Sequence, residues 1–258
     1  MSKELETAVA AAKAAGEVLR NGFGQHLEVK YKGEVDLVTK ADENAEGAIK
    51  EVLRESFPNY GMLAEEGGEF EGGGDVRWIV DPLDGTTNYA HGFPVFCTSI
   101  ALEKDGEVIL GVVHDPMTNE TYTAERASGA TLNGEPIAVS ETDEPIRALL
   151  ATGFPYDRDD MPAALDLFGR FAMLTQSMRR LGSAALDLCY VATGRLDGYY
   201  ERGIKAWDIA AGTLILREAG GKVSDYRGNE LSLERGEVVA SNGPLHQDMV
   251  RMTGEYHW

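Results

Sequence analysis

The sequence predicts an α/β fold with α+β character, arranged as a layered α-β-α-β-α sandwich. Two observations lead to this prediction. Two amphipathic N-terminal helices precede a run of short strands, and helices then alternate with strands to the C-terminus. Such segments pack as separate layers around a hydrophobic core. The 258 residues contain no Pro-, Ser- or Gly-rich linker and no internal repeat, so we expect a single domain over residues 1–258.

The predicted elements follow from apolar spacing and from turn residues. Helices are predicted where apolar residues recur every three to four positions, and strands where β-prone residues lie between turn signals. Phe57-Pro58 closes the second helix, Lys104-Asp105-Gly106 is a hairpin turn and Gly220-Gly221 ends a late helix. In chain order we expect a helix over 3–20, extended pieces over 29–38 around Lys32-Gly33, a helix over 40–56, strands over 78–80, 97–103, 107–114 and 121–124, a turn at Asn133-Gly134, a strand over 148–152, a helix over 161–175, a strand over 178–181, a helix over 183–193, a strand over 197–200, a helix over 206–219, a strand over 238–241 and a last helix from Pro244.

Composition excludes several classes of protein. Hydrophobic residues make up 43% of the chain, which is enough for a sizeable core and argues against disorder. The 24 basic and 43 acidic residues give a net charge of −19, which argues against binding to nucleic acid or to an anionic membrane surface. No apolar run reaches the roughly 20 residues of a membrane span, and the N-terminus lacks a signal-peptide core. We therefore expect a cytoplasmic protein.

Two residue types that often bind zinc offer no site here. The five histidines form no HxxxH pair and no close cluster with cysteine, which argues against zinc. Cys97 and Cys189 both lie in apolar surroundings and form no CxxC motif, so we expect two buried, reduced thiols.

The most informative stretch is Asp81-Pro-Leu-Asp-Gly-Thr-Thr-Asn88, which directly follows the apolar strand Trp78-Ile79-Val80. Carboxylates such as Asp81 and Asp84 bind hard cations, because Mg²⁺ prefers oxygen ligands and uses a few carboxylates together with substrate phosphate. Free amides at the start of a following helix suit an anion. The stretch thus predicts a cation site beside a phosphate site. The alternative is that the two acids cap a turn around Pro82.

Three further acidic features have both a structural and a functional interpretation. Thr39 and Asp42 fit a capping box, and Asp208 could favour a helix N-terminus through the macrodipole. Glu65 and Glu66 follow a short apolar strand and could form a solvated loop. Taken singly, Asp42 and Glu66 fit the structural interpretation better, and Asp208 fits both equally. Acids that converge at one rim of a fold, however, need a bound cation to offset their repulsion.

Together these motifs resemble the signatures of the inositol monophosphatase family, which are Mg²⁺-dependent, lithium-sensitive sugar and polyol phosphatases. The resemblance extends over nearly the whole chain and implies a sandwich of the sugar phosphatase type and a homodimer. It is found in Asp81-Pro-Leu-Asp-Gly-Thr-Thr-Asn88, Glu65-Glu66, Trp207-Asp-Ile-Ala-Ala-Gly212, Val35-Asp-Leu-Val-Thr-Lys-Ala-Asp42 and Gly182-Ser-Ala-Ala-Leu-Asp-Leu188.

The resemblance also implies a set of metal ligands and catalytic residues. A site of two or three Mg²⁺ ions is expected, the first held by Glu65, Asp81 and the Leu83 carbonyl and the second by Asp81, Asp84 and Asp208. Thr86, polarised by Asp42, would orient and help to deprotonate the attacking water. Glu65 counts among the catalytic residues as well as the ligands, and Asp208 would also help to deliver a proton to the leaving alkoxide.

Substrate contacts are implied in the same way. The amides of Gly85 and Thr86 would bind phosphate oxygens, with Asp84 and Asp208 also touching the substrate. The alcohol part would meet Glu201, the Gly182-Ser183-Ala184 turn and Arg179, which we prefer to the neighbouring Arg180. Arg202 and Lys205 are interpreted as charge balance for nearby acids rather than as ligands of a second phosphate.

The function implied is hydrolysis of inositol 1-phosphate to inositol and phosphate by attack of a metal-activated water. Within the same class of enzyme, fructose-1,6-bisphosphatase (alone or as a dual activity) and histidinol phosphatase are alternatives, with nucleotide 3′-phosphatase further back. From a different class, the chain could be a non-catalytic regulatory binding partner. The substrate in every enzymatic case is a small phosphorylated polyol, sugar or related alcohol.

Overall fold

The computed structural model describes residues 1–25, 29–31, 37–70, 72 and 74–255, and gives only the backbone path at 29–31 and 37–39. The expected extended pieces therefore appear as two short strands, while Lys32-Gly33 and Val35-Asp36 lie outside the described residues. The helices are α1 (Lys3–Gly22), α2 (Lys40–Ser56), α3 (Thr86–Ala90), α4 (Met161–Leu174), α5 (Ala184–Ala192), α6 (Ala206–Glu218) and α7 (His246–Gly254). The strands are β1 (Val29–Tyr31), β2 (Leu37–Thr39), β3 (Gly61–Ala64), β4 (Gly68–Phe70), β5 (Val76–Asp84), β6 (Cys97–Lys104), β7 (Glu107–Asp115), β8 (Glu120–Glu125), β9 (Ala130–Leu132), β10 (Glu135–Pro136), β11 (Leu149–Thr152), β12 (Ser177–Arg179), β13 (Gly198–Arg202), β14 (Lys222–Ser224) and β15 (Glu237–Ser241).

These elements form five layers, which confirms the predicted sandwich. An eight-stranded sheet has the order β10-β9-β8-β7-β6-β5-β3-β4, and a five-stranded sheet has the order β12-β11-β13-β15-β14. Helices α1 and α2 pack on the outer face of the larger sheet, and α5 and α6 lie between the two sheets. Helices α4 and α7 cover the outer face of the smaller sheet, where their apolar side chains meet Tyr200 and Val239.

The position of α6 in the central layer follows from its sequence. Ile209 to Leu216 are buried without interruption, so the helix is apolar on all sides and must be covered from both. Helix α2, by contrast, buries one stripe that includes Ile49 and Leu53 and exposes the rest. Within the described ranges, no helix combines the length and the apolarity needed to cross a bilayer.

Apart from β9 and β10, which flank the predicted turn at Asn133-Gly134, two strands have no counterpart in the sequence prediction. Strand β4 is exposed along its length and β14 is partly exposed, and each is the edge strand at one end of its sheet. Neither shows the alternation of buried and exposed residues that identifies a strand in a sequence. Edge position therefore explains why both were missed.

Sheet topology sets the place of the functional site. Strands β3 and β5 are parallel neighbours, so the residues that follow β3 emerge at the same edge of the sheet as the end of β5. The amide of Glu65 still donates to the Val80 carbonyl at 3.2 Å, which extends this pairing by one residue. The β5–β6 register then shifts between Asp81 and Asp84, around Pro82, which has no N–H for the ladder. The irregular end of β5 turns its carboxylates out of the sheet.

A buried histidine away from this edge predicts a pH dependence of stability. His114 on β7 is buried, with Nδ1 at 2.9 Å from the Thr121 Oγ1 atom. Burial, and then the charge of Lys13, lowers its pKa from 6.5 to about 4. Between these two pH values His114 binds a proton in the unfolded chain but not in the native chain. The contribution of neutral His114 to the free energy of unfolding is therefore complete above about pH 6.5 and is lost as the pH falls toward 4.

We therefore expect His114→Gln to reduce the loss of thermal stability between pH 7 and pH 5 relative to the wild type. The measurement is the midpoint of thermal unfolding at several pH values in metal-free buffer. His91→Gln, which removes an exposed imidazole, is the matched control. An unchanged pH slope in His114→Gln would contradict the assignment.

Candidate active site

A cavity of about 380 Å³ lies where the end of β5, the start of α6 and the start of α5 meet. Its volume is in the range of small-molecule sites. Of the predicted site residues it is lined by Glu65, Asp81, Leu83, Asp84, Gly85, Thr86, Gly182, Ser183, Ala184, Glu201 and Asp208. The wall also contains Thr87, Gly153, Phe154, Tyr156, Arg180, Asp187, Gly203, Ile204, Lys205 and Trp207, which sequence reasoning did not assign to substrate or metal.

The two carboxylates of β5 are held by donors from their own turn and from α5. Asp81 Oδ1 accepts the Leu83 amide at 2.9 Å. Asp84 Oδ2 accepts the Ser183 hydroxyl at 2.7 Å and the Ala185 amide at 2.7 Å. Burial raises the pKa of Asp84 to about 6, although these hydrogen bonds act to lower it. Asp84 thus joins the larger sheet to the N-terminus of α5.

The acids of the cavity act on one another electrostatically. Burial raises the pKa of Asp81, and the charges of Glu65, Asp84 and Asp208 raise it further. Of these three neighbours, Glu65 contributes most to the rise in the pKa of Asp81. Burial, then Asp84, raises the pKa of Asp208 well above its usual value. The cavity therefore favours a positive charge, either protons or a cation.

The donor set fits a hard metal ion, but the side chains do not yet converge on one. All the donors are oxygen atoms of carboxylates and of one carbonyl, which Mg²⁺ and similar cations prefer. Within the described ranges, no group of three or more His, Cys, Asp or Glu side chains is arranged to hold a metal ion as it stands. Asp208 Oδ2, for example, accepts the Lys205 amide at 2.8 Å.

Thr86 lies beside the acids and is connected to a carboxylate behind the cavity wall. Its hydroxyl is 3.1 Å from Asp42 Oδ1 and 3.0 Å from the Leu83 carbonyl. Asp42 is fully buried in α2 and does not line the cavity itself. The side chain of Thr39 lies outside the described residues, so the capping-box interpretation of Asp42 is not tested. Through its contact with Thr86, Asp42 is also connected to the site.

The opposite wall contains two acids of α5 and β13. Burial raises the pKa of Glu201 to about 7, while the Tyr199 hydroxyl, which donates to Glu201 Oε2, and the charge of Arg180 lower it. Asp187 is buried, and burial together with Glu201 and Asp84 raises its pKa. Its Oδ1 atom has no hydrogen-bond partner among the described residues. Sequence reasoning quoted Asp187 inside a motif but gave it no role.

The arginine positions differ from the expectation. Arg179 is exposed and folds back on its own strand, where it donates to the Ser177 hydroxyl and the Met178 carbonyl. Arg180 lines the cavity and lies over the Phe154 ring at 6.0 Å. The backbone at the end of β12 turns the second arginine toward the site, which adjacency in the sequence could not reveal. Lys205 also lines the cavity, whereas Arg202 pairs with Glu237 at 3.7 Å.

The model of the inositol monophosphatase family matches residues 1–256. The chain belongs to the inositol monophosphatase family. An inositol-1-monophosphatase from a Synechocystis species is 46% identical over 251 residues, 95% of this chain and 86% of that protein. The Nus factor SuhB of Pasteurella multocida is 44% identical over 245 residues, 93% of this chain and 92% of that protein.

The fold is shared as well. The crystal structure of the extragenic suppressor protein suhB from Bartonella henselae superposes with a TM-score of 0.96 at 39% identity, covering 99% of this chain and 100% of that one. Members of the inositol monophosphatase family are phosphatases that act on phosphorylated substrates and are in general metal-dependent. The chain is therefore an enzyme of this class, as its motifs predicted.

A close approach in the cavity gives a test of Glu201. A Cβ atom on Gly153 would overlap the carboxyl group of Glu201. Gly153→Ala should therefore displace Glu201 and, on the expectation that Glu201 binds the substrate alcohol, raise the KM about tenfold or more with a smaller change in kcat. Steady-state kinetics with inositol 1-phosphate measures this. The control is Gly169→Ala on α4, where a Cβ would meet nothing within 4 Å; equal KM values in the two variants would contradict the role of Glu201.

Proposed function

We propose that the chain hydrolyses inositol 1-phosphate to inositol and phosphate with Mg²⁺ as the metal. One observation gives the strongest support for this type of reaction. Buried, mutually repelling carboxylates line a cavity together with the Thr86 hydroxyl, which is hydrogen-bonded to the buried carboxylate of Asp42 behind the cavity wall. Such a site can bind a phosphate through cations and can activate a water beside it.

The metal would be held by carboxylates from two neighbouring strands and from the central helix. Glu65, Asp81, the Leu83 carbonyl, Asp84 and Asp208 are the proposed ligands, for two or three ions. Bound Mg²⁺ would supply Lewis-acid polarisation of water and of the phosphate oxygens. The clustering of these acids supports this set, because each negative charge raises the free-energy cost of the next one and so increases the affinity for cations.

Thr86 and Asp42 are proposed to orient the nucleophile. The Thr86 hydroxyl can donate to only one acceptor at a time, and Asp42 Oδ1 and the Leu83 carbonyl lie at nearly equal distances. When the Thr86 hydroxyl donates to Asp42, the Thr86 oxygen can still accept a hydrogen bond from a water molecule in the cavity. Asp42 lies in the protein interior, where its charge is little screened by solvent. The pair thus fixes the water and draws its proton.

The phosphate and the leaving group would be bound on either side of this water. The backbone amides of Gly85 and Thr86 are proposed to donate to phosphate oxygens as negative charge develops in the transition state. Asp208, at the start of α6, is proposed to pass a proton to the leaving alkoxide. On the alcohol side, Glu201, the Ser183 turn and Asp84 would accept or donate hydrogen bonds to the hydroxyl groups of inositol.

A bisphosphorylated sugar is a second candidate substrate. Arg180 and Lys205 both line the cavity, although Lys205 was interpreted from sequence as charge balance. Arg180, whose charge acts on Glu201, and Lys205, next to Asp208, could bind a second phosphate, as on fructose 1,6-bisphosphate. A regulatory binding role is a further alternative, which the name Nus factor for the Pasteurella multocida relative suggests for that protein.

The test is a substrate panel on the purified protein. We expect the highest kcat/KM for inositol 1-phosphate, with lower values for fructose 1,6-bisphosphate and histidinol phosphate, and loss of all activity in EDTA that added Mg²⁺ restores. A higher value for either competitor would replace the proposed substrate. Phosphate release no faster than in buffer, with and without Mg²⁺, would instead favour the regulatory role.

A further inference from the structure

A buried carboxylate outside the cavity holds the loop that contains Glu65. Glu46 of α2 is only 4% exposed. Its Oε2 atom accepts the amide of Glu66 at 3.0 Å and the amide of Gly67 at 3.2 Å. The amide of Glu65 donates to Val80 on β5 at 3.2 Å. Three consecutive amides of this loop are therefore fixed, the first by the sheet and the next two by Glu46.

The charge of Glu46 is compensated from the other side. Lys50, one turn further along α2, pairs with Glu46 Oε1. The loop approaches this pair so closely that a Cβ on Gly67 would lie 2.7 Å from Glu46 Oε1 and would overlap the Lys50 ammonium group. A carboxylate with two amide donors and one cation has its hydrogen-bonding capacity largely satisfied, so its position is well defined.

The same face of α2 also reaches the other half of the site. Asp42 lies one helical turn before Glu46, and residues at this spacing share a helix face. Asp42 contacts the Thr86 hydroxyl at 3.1 Å. Helix α2 thus contacts both Thr86, through Asp42, and the Glu65–Gly67 loop, through Glu46. It connects these two parts of the site.

We propose that Glu46 is a positioning residue for Glu65, which acts by fixing the Glu65–Gly67 backbone and thereby raises the affinity of the site for its metal. The inference rests on the proposed function, since Glu65 is a ligand only if that proposal holds. Groups that orient metal ligands typically contribute 10- to 100-fold to metal affinity. The oxygen atom Oε2, which accepts both amides, is the part of Glu46 that matters, rather than the charge alone.

The experiment is a calorimetric titration of the full-length protein with Mg²⁺ alone, without substrate. Glu46→Leu removes the oxygen that accepts both amides and keeps a side chain of similar size, and Glu46→Asp withdraws the carboxylate from the amides. We expect Glu46→Leu to raise the Kd for Mg²⁺ about tenfold or more and Glu46→Asp to raise it less. Glu46→Gln keeps an oxygen for the two amides and should stay within about threefold of the wild type. Lys50→Met, which removes only the ion pair, should do the same.

Hydrogen exchange gives a readout that does not need the metal. The amides of Glu66 and Gly67 should exchange faster in Glu46→Leu and Glu46→Asp and at wild-type rates in Glu46→Gln and Lys50→Met. If Glu46→Leu fails to fold, Glu46→Asp against Glu46→Gln decides the matter. Wild-type Kd values in a folded Glu46→Leu or Glu46→Asp would overturn the inference while the proposed function stands. A wild-type protein that binds no Mg²⁺ would overturn both.

Discussion

Asp84→Asn is expected to lose nearly all phosphatase activity while the protein stays folded. The substitution removes one negative charge from a cluster that is proposed to bind cations, and it keeps the size and an acceptor oxygen. Electrostatic groups that stabilise a transition state contribute roughly 10²- to 10³-fold each, and a lost ligand also weakens metal binding, so we expect a fall in kcat of roughly 10³-fold. The measurement is phosphate release from inositol 1-phosphate over a range of Mg²⁺ concentrations.

The stability of the same variant should move the other way. The pKa of Asp84 is about 6 in the folded chain and near 3.9 when unfolded. Because this pKa is raised on folding, the contribution of Asp84 to the stability of the folded chain is complete below about pH 4 and is lost as the pH rises through 6. At pH 7 in EDTA the wild type therefore contains an unfavourable buried charge, which Asp84→Asn removes. Its Tm should be equal to or higher than that of the wild type.

The control for Asp84→Asn is Asp105→Asn, at a positive-φ position of the β6–β7 hairpin turn, where asparagine is well tolerated. It removes a surface charge far along the sheet from the cavity and should leave kcat and Tm unchanged. Near-normal turnover of Asp84→Asn at ordinary Mg²⁺ concentrations would contradict the assignment of Asp84 as a ligand. A Tm well below that of the wild type would instead point to the contacts of Asp84 with Ser183 and Ala185 as its main role.

The sequence predicted the parts of the fold and site that depend on local patterns. The turn residues Lys104-Asp105-Gly106 between two β-prone segments predict the β6–β7 hairpin, and Gly220-Gly221 predicts the end of α6. The carboxylates at the end of β5 are recognisable because a strand, two acids and a glycine follow one another directly. Glu65 follows a second short apolar strand in the same pattern, and the parallel pairing of β3 with β5 in the structure explains why the two groups meet.

The rest depends on contacts between residues that are distant in the chain. Arg180 rather than Arg179 lines the cavity because the backbone turns after β12, and two adjacent arginines look alike in a sequence. Gly153 matters only because Glu201 lies against it. Glu46 occupies an ordinary position on a charged helix, and only the packing of α2 against β5 brings it to the site. Asp42 was named through the family resemblance alone, because its position on the helix also fits a cap. Which charged residues of a helix face inward is decided by tertiary structure.

Thr86→Val is expected to lower kcat by about 10²-fold or more, with little change in KM. Valine has nearly the shape of threonine but lacks the hydroxyl that contacts Asp42 at 3.1 Å. General base catalysis of the kind proposed for this pair contributes about 10²- to 10⁴-fold, and the phosphate contacts from the backbone amides remain. The effect should therefore fall on the chemical step, measured by steady-state kinetics at saturating Mg²⁺.

Thr86→Ser separates this explanation from a packing effect. Serine restores the hydroxyl and lacks only the methyl group, so its kcat should lie within about tenfold of the wild type. Asp42→Asn keeps an acceptor for the hydroxyl but removes the charge that draws the proton, so its kcat should fall between those of Thr86→Ser and Thr86→Val. If Thr86→Ser is as slow as Thr86→Val, the methyl group and not the hydroxyl is required. The attacking water would then have to be oriented by other groups of the cavity, and Glu65, the other residue with an expected catalytic role beside the metal, is the first candidate.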